Sequence, residues 1–173
     1  MHDKIQWKDN GLNDYGLVLT SSVPRGTVLL KVPRKLVLDS HVIRESFSDE
    51  VCKSVVEALG KFHVHEENYW IVWRLYQLKC SGDDNTFASS WINAMPQKFE
   101  TFTKDEIECL PFYARYAAEY QEAKFASFCI AAGEMKDDCP FDPTNGDHVS
   151  LLKWAFNADN SRFWKTNPSE NAK

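Results

Sequence analysis

Residues 66 to 80 read Glu-Glu-Asn-Tyr-Trp-Ile-Val-Trp-Arg-Leu-Tyr-Gln-Leu-Lys-Cys, and they predict a helix that is buried on most of its sides. At helical spacing the large apolar side chains of this stretch occupy nearly the whole circumference, and a helix that is apolar all round belongs in an interior. The polar run Ser81-Gly-Asp-Asp-Asn85 ends it. We therefore expect other elements to pack around this segment.

A second helix is predicted just before it. Ser48 is a suitable N-cap, the acidic residues Asp49 and Glu50 follow it, and apolar residues then recur at helical spacing from Val51 to Phe62. His63-Val64-His65 would lie in the linker between the two helices. Histidines two residues apart suit metal binding only when a strand carries them, so a solvated linker is the better interpretation.

Further helices are predicted in the second half of the chain. Thr103-Lys-Asp-Glu106 matches a capping box, in which the threonine and glutamate side chains each satisfy a backbone N–H of the first turn. A long amphipathic helix is expected after Pro111, and a final helix is expected from His148 to about Trp164 with Asp147 as its N-cap. The acidic loop before that helix lacks the spacing and the bidentate glutamate of an EF-hand.

Residues 16 to 38 predict short strands instead. Gly16-Leu-Val-Leu-Thr20 and Thr27-Val-Leu-Leu-Lys31 are apolar and β-branched, and Val23-Pro-Arg-Gly26 suits a tight turn between them. Lys35-Leu-Val-Leu-Asp39 offers a third strand. The predicted fold class is α+β, with N-terminal antiparallel strands in residues 1–47, a mainly helical part in 48–164 and a polar tail in 165–173.

The composition of the chain bears on its binding partners and on its location in the cell. The 173 residues carry 25 acidic and 20 basic side chains, which disfavours generic binding to nucleic acid and to anionic membranes. No targeting segment and no stretch of membrane-spanning length is seen, so we expect an intracellular, soluble protein; cytoplasm, nucleus and plastid are not distinguished. The five scattered cysteines are interpreted as free thiols.

The order of several motifs resembles the SET domain of protein methyltransferases, of the type that includes Rubisco large-subunit lysine methyltransferase and actin-histidine methyltransferase. The opening frame is filled by Gly16, Gly26, Leu29-Leu30 and Val32-Pro33. Later matches are Trp91-Ile-Asn-Ala-Met-Pro96 and, most specifically, Trp154-Ala-Phe-Asn-Ala-Asp-Asn-Ser-Arg-Phe163. Together these collinear matches extend over residues 11 to 164.

The resemblance implies a partial SET domain whose early strands are followed by the family's helical insert. It also implies S-adenosyl-L-methionine (AdoMet) as the cofactor, held by the backbone of Asn13, Asp14 and Tyr15 and by a hydrogen bond from Arg162 to the cofactor carboxylate. Without the resemblance, burial among apolar residues and exposure on a last helical turn are equally compatible with the spacing at Arg162. The implied activity is N-methylation of a protein lysine, with histidine left open as the target.

Two departures from the family pattern shape the functional expectation. Asp14 replaces a glycine that lets backbone approach the cofactor, and no Asn-His motif with its later channel tyrosine occurs in the sequence. We therefore expect weak or lost AdoMet binding, no catalytic residue in this chain and little activity without a complementary SET fragment. The alternative is a non-catalytic module whose helical part binds a partner protein.

Overall fold

The computed structural model describes residues 3–9, 15–33, 37–61, 64–81, 92–93, 95, 102–135 and 139–162. The chain divides into two compact units, Met1–Leu38 (unit 1) and Asp39–Lys173 (unit 2). Short antiparallel strands at the N-terminus and a mainly helical remainder confirm the coarse α+β prediction. Among the described residues, no helix is long and apolar enough to cross a membrane.

Unit 1 contains a two-stranded antiparallel sheet. Strand β1 (Ile5–Asp9) pairs with β2 (Tyr15–Leu19) in a register that aligns Ile5 with Leu19. The ladder continues one step further, because the N–H of Thr20 donates to the carbonyl of Lys4 at 2.9 Å.

The predicted pairing of residues 16–20 with residues 27–31 is wrong, because the partner of β2 precedes it in the chain. Residues 27–33 form no strand, and neither do 37–39, where the third strand was expected. Thr27 explains part of this, since both its N–H and its hydroxyl donate locally to the carbonyl of Pro24, at 3.2 and 2.7 Å. The turn itself is confirmed, with Gly26 at a φ of 84°.

Unit 2 is helical throughout its described secondary structure. Helix α1 (Ser40–Arg44), which the sequence analysis does not predict, is N-capped by Asp39, and α2 (Asp49–Gly60) is capped by Ser48 as predicted. Helix α3 (Glu66–Cys80) has the predicted bounds. It is followed by α4 (Lys104–Cys109), α5 (Phe112–Gly133) and α6 (Gly146–Arg162).

One helix start differs from the prediction. Helix α6 begins at Gly146, and its capping side chain is that of Asn145, which accepts a hydrogen bond from the N–H of Asp147 at 2.9 Å. Asp147 is therefore the second residue of the helix rather than its N-cap. Asparagine and aspartate are equally good caps, so the sequence offers two adjacent candidates and hydrogen-bond geometry selects the first.

The core of unit 2 is built around α3, which contacts α1, α2 and α6, while α5 packs on α2 and α6. Helix α3 buries Tyr69, Trp70, Val72, Trp73, Leu75 and Tyr76. Their rings continue into the neighbouring helices, because Tyr69 meets Phe128 of α5 edge-on at 5.4 Å and Phe128 meets Phe156 of α6 at 5.3 Å. Such edge-on pairs add to the stabilisation that burial itself provides.

Candidate functional site

The residues predicted to bind AdoMet are only partly described. Tyr15 is the first residue of β2, in unit 1, and Arg162 is the last residue of α6, in unit 2; the structure describes their backbone. Asn13 and Asp14 lie outside the described residues. The cofactor site therefore stays a prediction.

A groove in unit 2 is a concave surface whose lining residues all lie within the described chain. It has a volume of about 510 Å³, within the range typical of ligand pockets. Its floor is made of small side chains of α5, and its walls are apolar side chains that come from α4, its flanking residues and α6. We call it the α4–α6 groove; its apolar lining consists of Phe102, Ile107, Leu110, Ala114, Ala117, Ala118 and Phe156.

The position of α4 beside this groove depends on its capping box. The Thr103 hydroxyl accepts from the N–H of Glu106 at 3.3 Å, while the Glu106 carboxylate accepts from the N–H of Thr103 at 2.7 Å. The N–H of Thr103 and, at 2.9 Å, its hydroxyl both donate to the Glu106 carboxylate, and these two bonds lower the pKa of Glu106. The reciprocal arrangement predicted from the sequence is thus confirmed, and it starts the helix that supplies Ile107 to the groove.

One end of the groove carries an ion pair held over aromatic rings. The Lys153 ammonium donates to the Glu122 carboxylate at 2.6 Å. The same ammonium lies 4.3 Å from the ring centre of Phe125 and 5.8 Å from that of Phe156. One carboxylate and the faces of two rings thus hold the Lys153 side chain in place at the groove.

A second polar cluster consists of Asp159, Asn68 and Lys124. Asp159 is only 5% exposed and accepts a hydrogen bond from the Asn68 amide at 2.9 Å. Burial raises the pKa of Asp159, and the Asn68 hydrogen bond and the positive charge of Lys124 oppose this only in part. Burial likewise lowers the pKa of Lys124, with attraction to Asp159 opposing it.

Lys124 also joins this cluster to the groove. Its ammonium contacts the amide oxygen of Asn160 at 3.5 Å and lies 5.6 and 5.5 Å from the ring centres of Phe128 and Phe156. Asn160 in turn donates to the side-chain oxygen of Gln121 at 3.4 Å. The polar groups that line the groove are therefore amides and one ion pair, which suit binding and orientation of a ligand.

Two further motifs from the sequence lie partly within the described chain, namely the acidic loop before α6 and His63-Val64-His65. The Asp142 carboxylate accepts from the N–H and the hydroxyl of Thr144, at 2.8 and 2.7 Å, and these bonds lower its pKa. His65 is exposed at the N-cap of α3, whereas His63 lies outside the described residues. Within the described ranges, no group of three or more potential ligands is placed to hold a metal ion.

Two exposed apolar surfaces complete the set of candidate sites. In unit 1 the large apolar side chains of the strands and following segment are exposed, namely Leu17, Val18, Leu19, Val28, Leu30, Val32 and Val37. In unit 2 the N-terminal half of α5 carries what we call the aromatic surface, made of Phe112, Tyr113, Tyr116 and Tyr120. Clusters of this kind often mark interaction sites.

The groove and the Asn68–Asp159 pair were not predicted from the sequence. The pair joins residues 91 positions apart, and no local pattern reveals such a contact. The groove did leave a signal, since alanines replace large residues along one side of an otherwise aromatic α5 segment, Ala114 to Ala118. The exposure of the aromatic surface was not predicted either, because tyrosines at helical spacing resemble a buried stripe.

No protein-family model matches the chain, and comparison with curated proteins and with solved structures likewise gave no match.

Proposed function

We propose that this chain forms the early strands and the helical insert of a SET-type, AdoMet-dependent protein-lysine N-methyltransferase, with little or no activity on its own. The observation that supports this proposal most directly is the exposed apolar surface of unit 1. Val28 is 69% exposed and Val32 is 50% exposed. A two-stranded sheet is marginally stable in water, and a row of exposed apolar side chains is expected where further strands complete a sheet.

The proposed cofactor contacts follow from the chemistry of the residues concerned. Backbone at Asn13, Asp14 and Tyr15 would line AdoMet, and the Arg162 guanidinium would pair with its carboxylate. Arg162 ends α6, where the helix dipole disfavours an anion, so the guanidinium has to supply the attraction. Asp14 adds a negative charge beside that carboxylate, which weakens binding further.

Bound AdoMet would supply an electrophilic methyl group, while the protein has to align the target amine with it and exclude water. The groups that do this in the family, the Asn-His motif and the channel tyrosine, have no counterpart in this sequence. The residues of this chain would therefore bind and orient the cofactor, and the reacting amine would be positioned by a complementary fragment.

Calorimetric titration of the full chain with AdoMet tests the cofactor assignment. We expect a Kd no tighter than about 100 µM, equivalent to roughly -5.5 kcal/mol. Arg162→Ala should abolish the measurable heat, whereas Arg74→Ala, which removes an exposed arginine of α3, should leave it unchanged. Equal binding by both variants would reject Arg162 as the carboxylate partner.

A fusion to the C-terminal half of a related SET domain tests the catalytic part. The added half brings the Asn-His motif and the tyrosine, so transfer of radiolabelled methyl groups to protein lysines should appear in the fusion and not in the chain alone. Arg162→Ala in the fusion should weaken AdoMet binding by about 2–4 kcal/mol if the contact is buried and charge-assisted. Methyl transfer by the unfused chain would contradict the proposal.

A second candidate function is a non-catalytic module that binds a partner protein through unit 2. The α4–α6 groove favours it, because it is an apolar concave surface that needs no cofactor. Ala114→Trp would fill the groove from its exposed floor. A partner that binds the chain but not this variant, with both proteins purified, would support the module; an AdoMet-binding, methylating fusion unaffected by Ala114→Trp would favour the enzyme.

A further inference from the structure

The N-terminal half of α5 presents an aromatic face that the rest of unit 2 leaves exposed. Tyr113, Tyr116 and Tyr120 recur at helical spacing and share one side of the helix, with exposed fractions of 84%, 63% and 47%. Every buried side chain of α5 lies instead between Phe125 and Ala132. The aromatic surface therefore precedes the buried part of α5 along the chain.

Four exposed aromatic rings close together contribute little to the stability of unit 2, because their apolar surface stays in water. Phe112, which is 75% exposed, meets the ring of Tyr113 edge-on at 5.5 Å, and Tyr116 and Tyr120 follow on the same side of the helix. Tyrosine is enriched at protein interfaces because it offers a large rigid ring and a hydroxyl with few rotatable bonds. The composition of the patch is thus that of a binding surface.

The charges around this patch are predominantly negative. Helix α4 and the first half of α5, residues 104–122, contain five acidic and two basic side chains, and one of the five, Glu122, is paired with Lys153 at the groove. The Arg115 guanidinium donates to the Glu108 carbonyl at 2.6 Å and keeps its positive charge, so the four other acidic side chains outnumber the two basic ones. Glu119 is exposed and lies between Tyr116 and Tyr120 in sequence, three residues after Tyr116 and therefore on the adjoining part of the helix surface.

We propose that the aromatic surface binds a basic amphipathic helix of a partner protein, with apolar side chains against the tyrosine rings and arginine or lysine side chains beside Glu119. Tyrosine faces attract guanidinium and ammonium groups, and the surrounding carboxylates add long-range attraction. The same negative charge disfavours nucleic acid and acidic peptides on this surface. An amphipathic helix matches the elongated shape of an exposed helix face.

This inference deepens the second candidate function and is independent of the cofactor proposal, because it uses residues of α4 and α5 alone. It also differs from groove binding. The aromatic surface and the groove floor, which includes Ala114 and Ala118, occupy different sides of α5. Variants on the two sides therefore separate the two assignments.

The test uses the full chain and a fluorescent 20-residue peptide designed as an amphipathic helix, with leucines on one face and arginines on the other. Binding is measured by the fluorescence anisotropy of the peptide. Tyr116→Ala should weaken binding at least about tenfold, whereas Tyr116→Phe, which keeps the ring, should stay within about twofold. Glu119→Lys should weaken binding and reduce its dependence on salt concentration. Ile130→Ser, which changes an exposed apolar residue elsewhere on α5, is the matched control and should bind as the unchanged protein does.

Several outcomes would overturn the proposal. They are failure of the arginine peptide to bind at low salt, equal binding of a matched peptide with glutamate in place of arginine, and binding unaffected by Tyr116→Ala. Loss of binding in Ala114→Trp but not in Tyr116→Ala would place the partner in the groove, which keeps the interaction module and rejects this surface. Sedimentation showing a dimer that Tyr116→Ala dissociates would identify a second copy of the chain as the occupant instead.

Discussion

At the scale of single residues, Asp159 is the side chain whose environment most clearly opposes its charge. It is buried, its pKa is raised by that burial, and its hydrogen bond to Asn68 joins α6 to α3. Because the folded-state pKa lies above the ordinary 3.8, the folded protein keeps this proton at pH values where the unfolded chain has lost it. The stabilisation is complete below pH 3.8 and is lost as pH rises through the folded-state pKa.

The corresponding prediction concerns Asp159→Asn. This variant keeps an oxygen for the Asn68 amide but cannot ionise, so its free energy of unfolding should exceed that of the unchanged protein by a margin that grows as pH rises from 3.8 through the folded-state pKa of Asp159. Urea unfolding at a series of pH values measures this margin. A margin that stays constant or shrinks with pH would contradict the assignment.

Asp159→Ala is the matched variant for the hydrogen bond. It leaves the Asn68 amide without its acceptor, and we expect a loss of about 1–3 kcal/mol in the free energy of unfolding at acidic pH. Lys124 titrates in the opposite sense, because its lowered pKa makes stability rise with pH until pH passes the ordinary 10.5. Comparing each variant with the unchanged protein at the same pH removes the contributions of other groups such as Glu106 and Asp142, and leaves that of Asp159 with its coupling to Lys124.

Cys129 gives a second residue-scale prediction. Burial raises the pKa of its thiol to about 11 from the ordinary 9.0, although the nearby Lys153 charge opposes the shift. At pH 8 this lowers the thiolate fraction about a hundredfold, and the thiolate is the reactive form. Iodoacetamide labelling followed by peptide mass spectrometry should show Cys80 and Cys109, which are exposed, modified long before Cys129. Similar rates at all three would mean that α5 opens readily.

At the scale of elements, the capping box of α4 should control the shape of the α4–α6 groove. Thr103→Ala removes the acceptor for the N–H of Glu106 and should cost about 0.5–2 kcal/mol of helix stability. Because the helix has six residues, we expect the loss to appear as faster amide hydrogen exchange across residues 104–109 rather than as global unfolding. Thr103→Ser, which keeps the hydroxyl, should exchange as the unchanged protein does.

Helices with strong local signals were predictable from the sequence, and elements defined by distant pairing were not. The bounds of α3 and the caps at Ser48 and Thr103 follow from side chains within a few residues of each helix end. The predicted partner of β2 was wrong because several segments can pair with the same strand. In the structure Ile5–Asp9 pairs with β2 instead of residues 27–31. The groove and the Asn68–Asp159 contact form only when separate helices pack together. Sequence patterns within a single segment therefore do not predict them.

At the scale of the whole molecule, stability should reside in unit 2. Every side chain identified as buried in the described chain lies at Cys52 or later. A chain of residues 39–173 should therefore unfold cooperatively, with a free energy of unfolding within about 1 kcal/mol of that of the full chain, because buried apolar side chains are the main source of stability and none of the described side chains of unit 1 is buried. Thermal unfolding followed by circular dichroism at 222 nm compares the two; loss of cooperativity in the shorter chain would contradict the prediction.

The stacked rings of α3 also make this helix an optical reporter. Trp73 lies 5.0 Å from Tyr76 and 6.3 Å from Tyr69, nearly parallel to both, and Trp70 is stacked on Phe47 at 5.4 Å. Chromophores fixed at such distances couple their electronic transitions, so the near-ultraviolet circular dichroism of the chain should be unusually intense. That signal would vanish in a compact state that kept its helices but lost side-chain order, which makes it a sensitive spectroscopic index of correct packing.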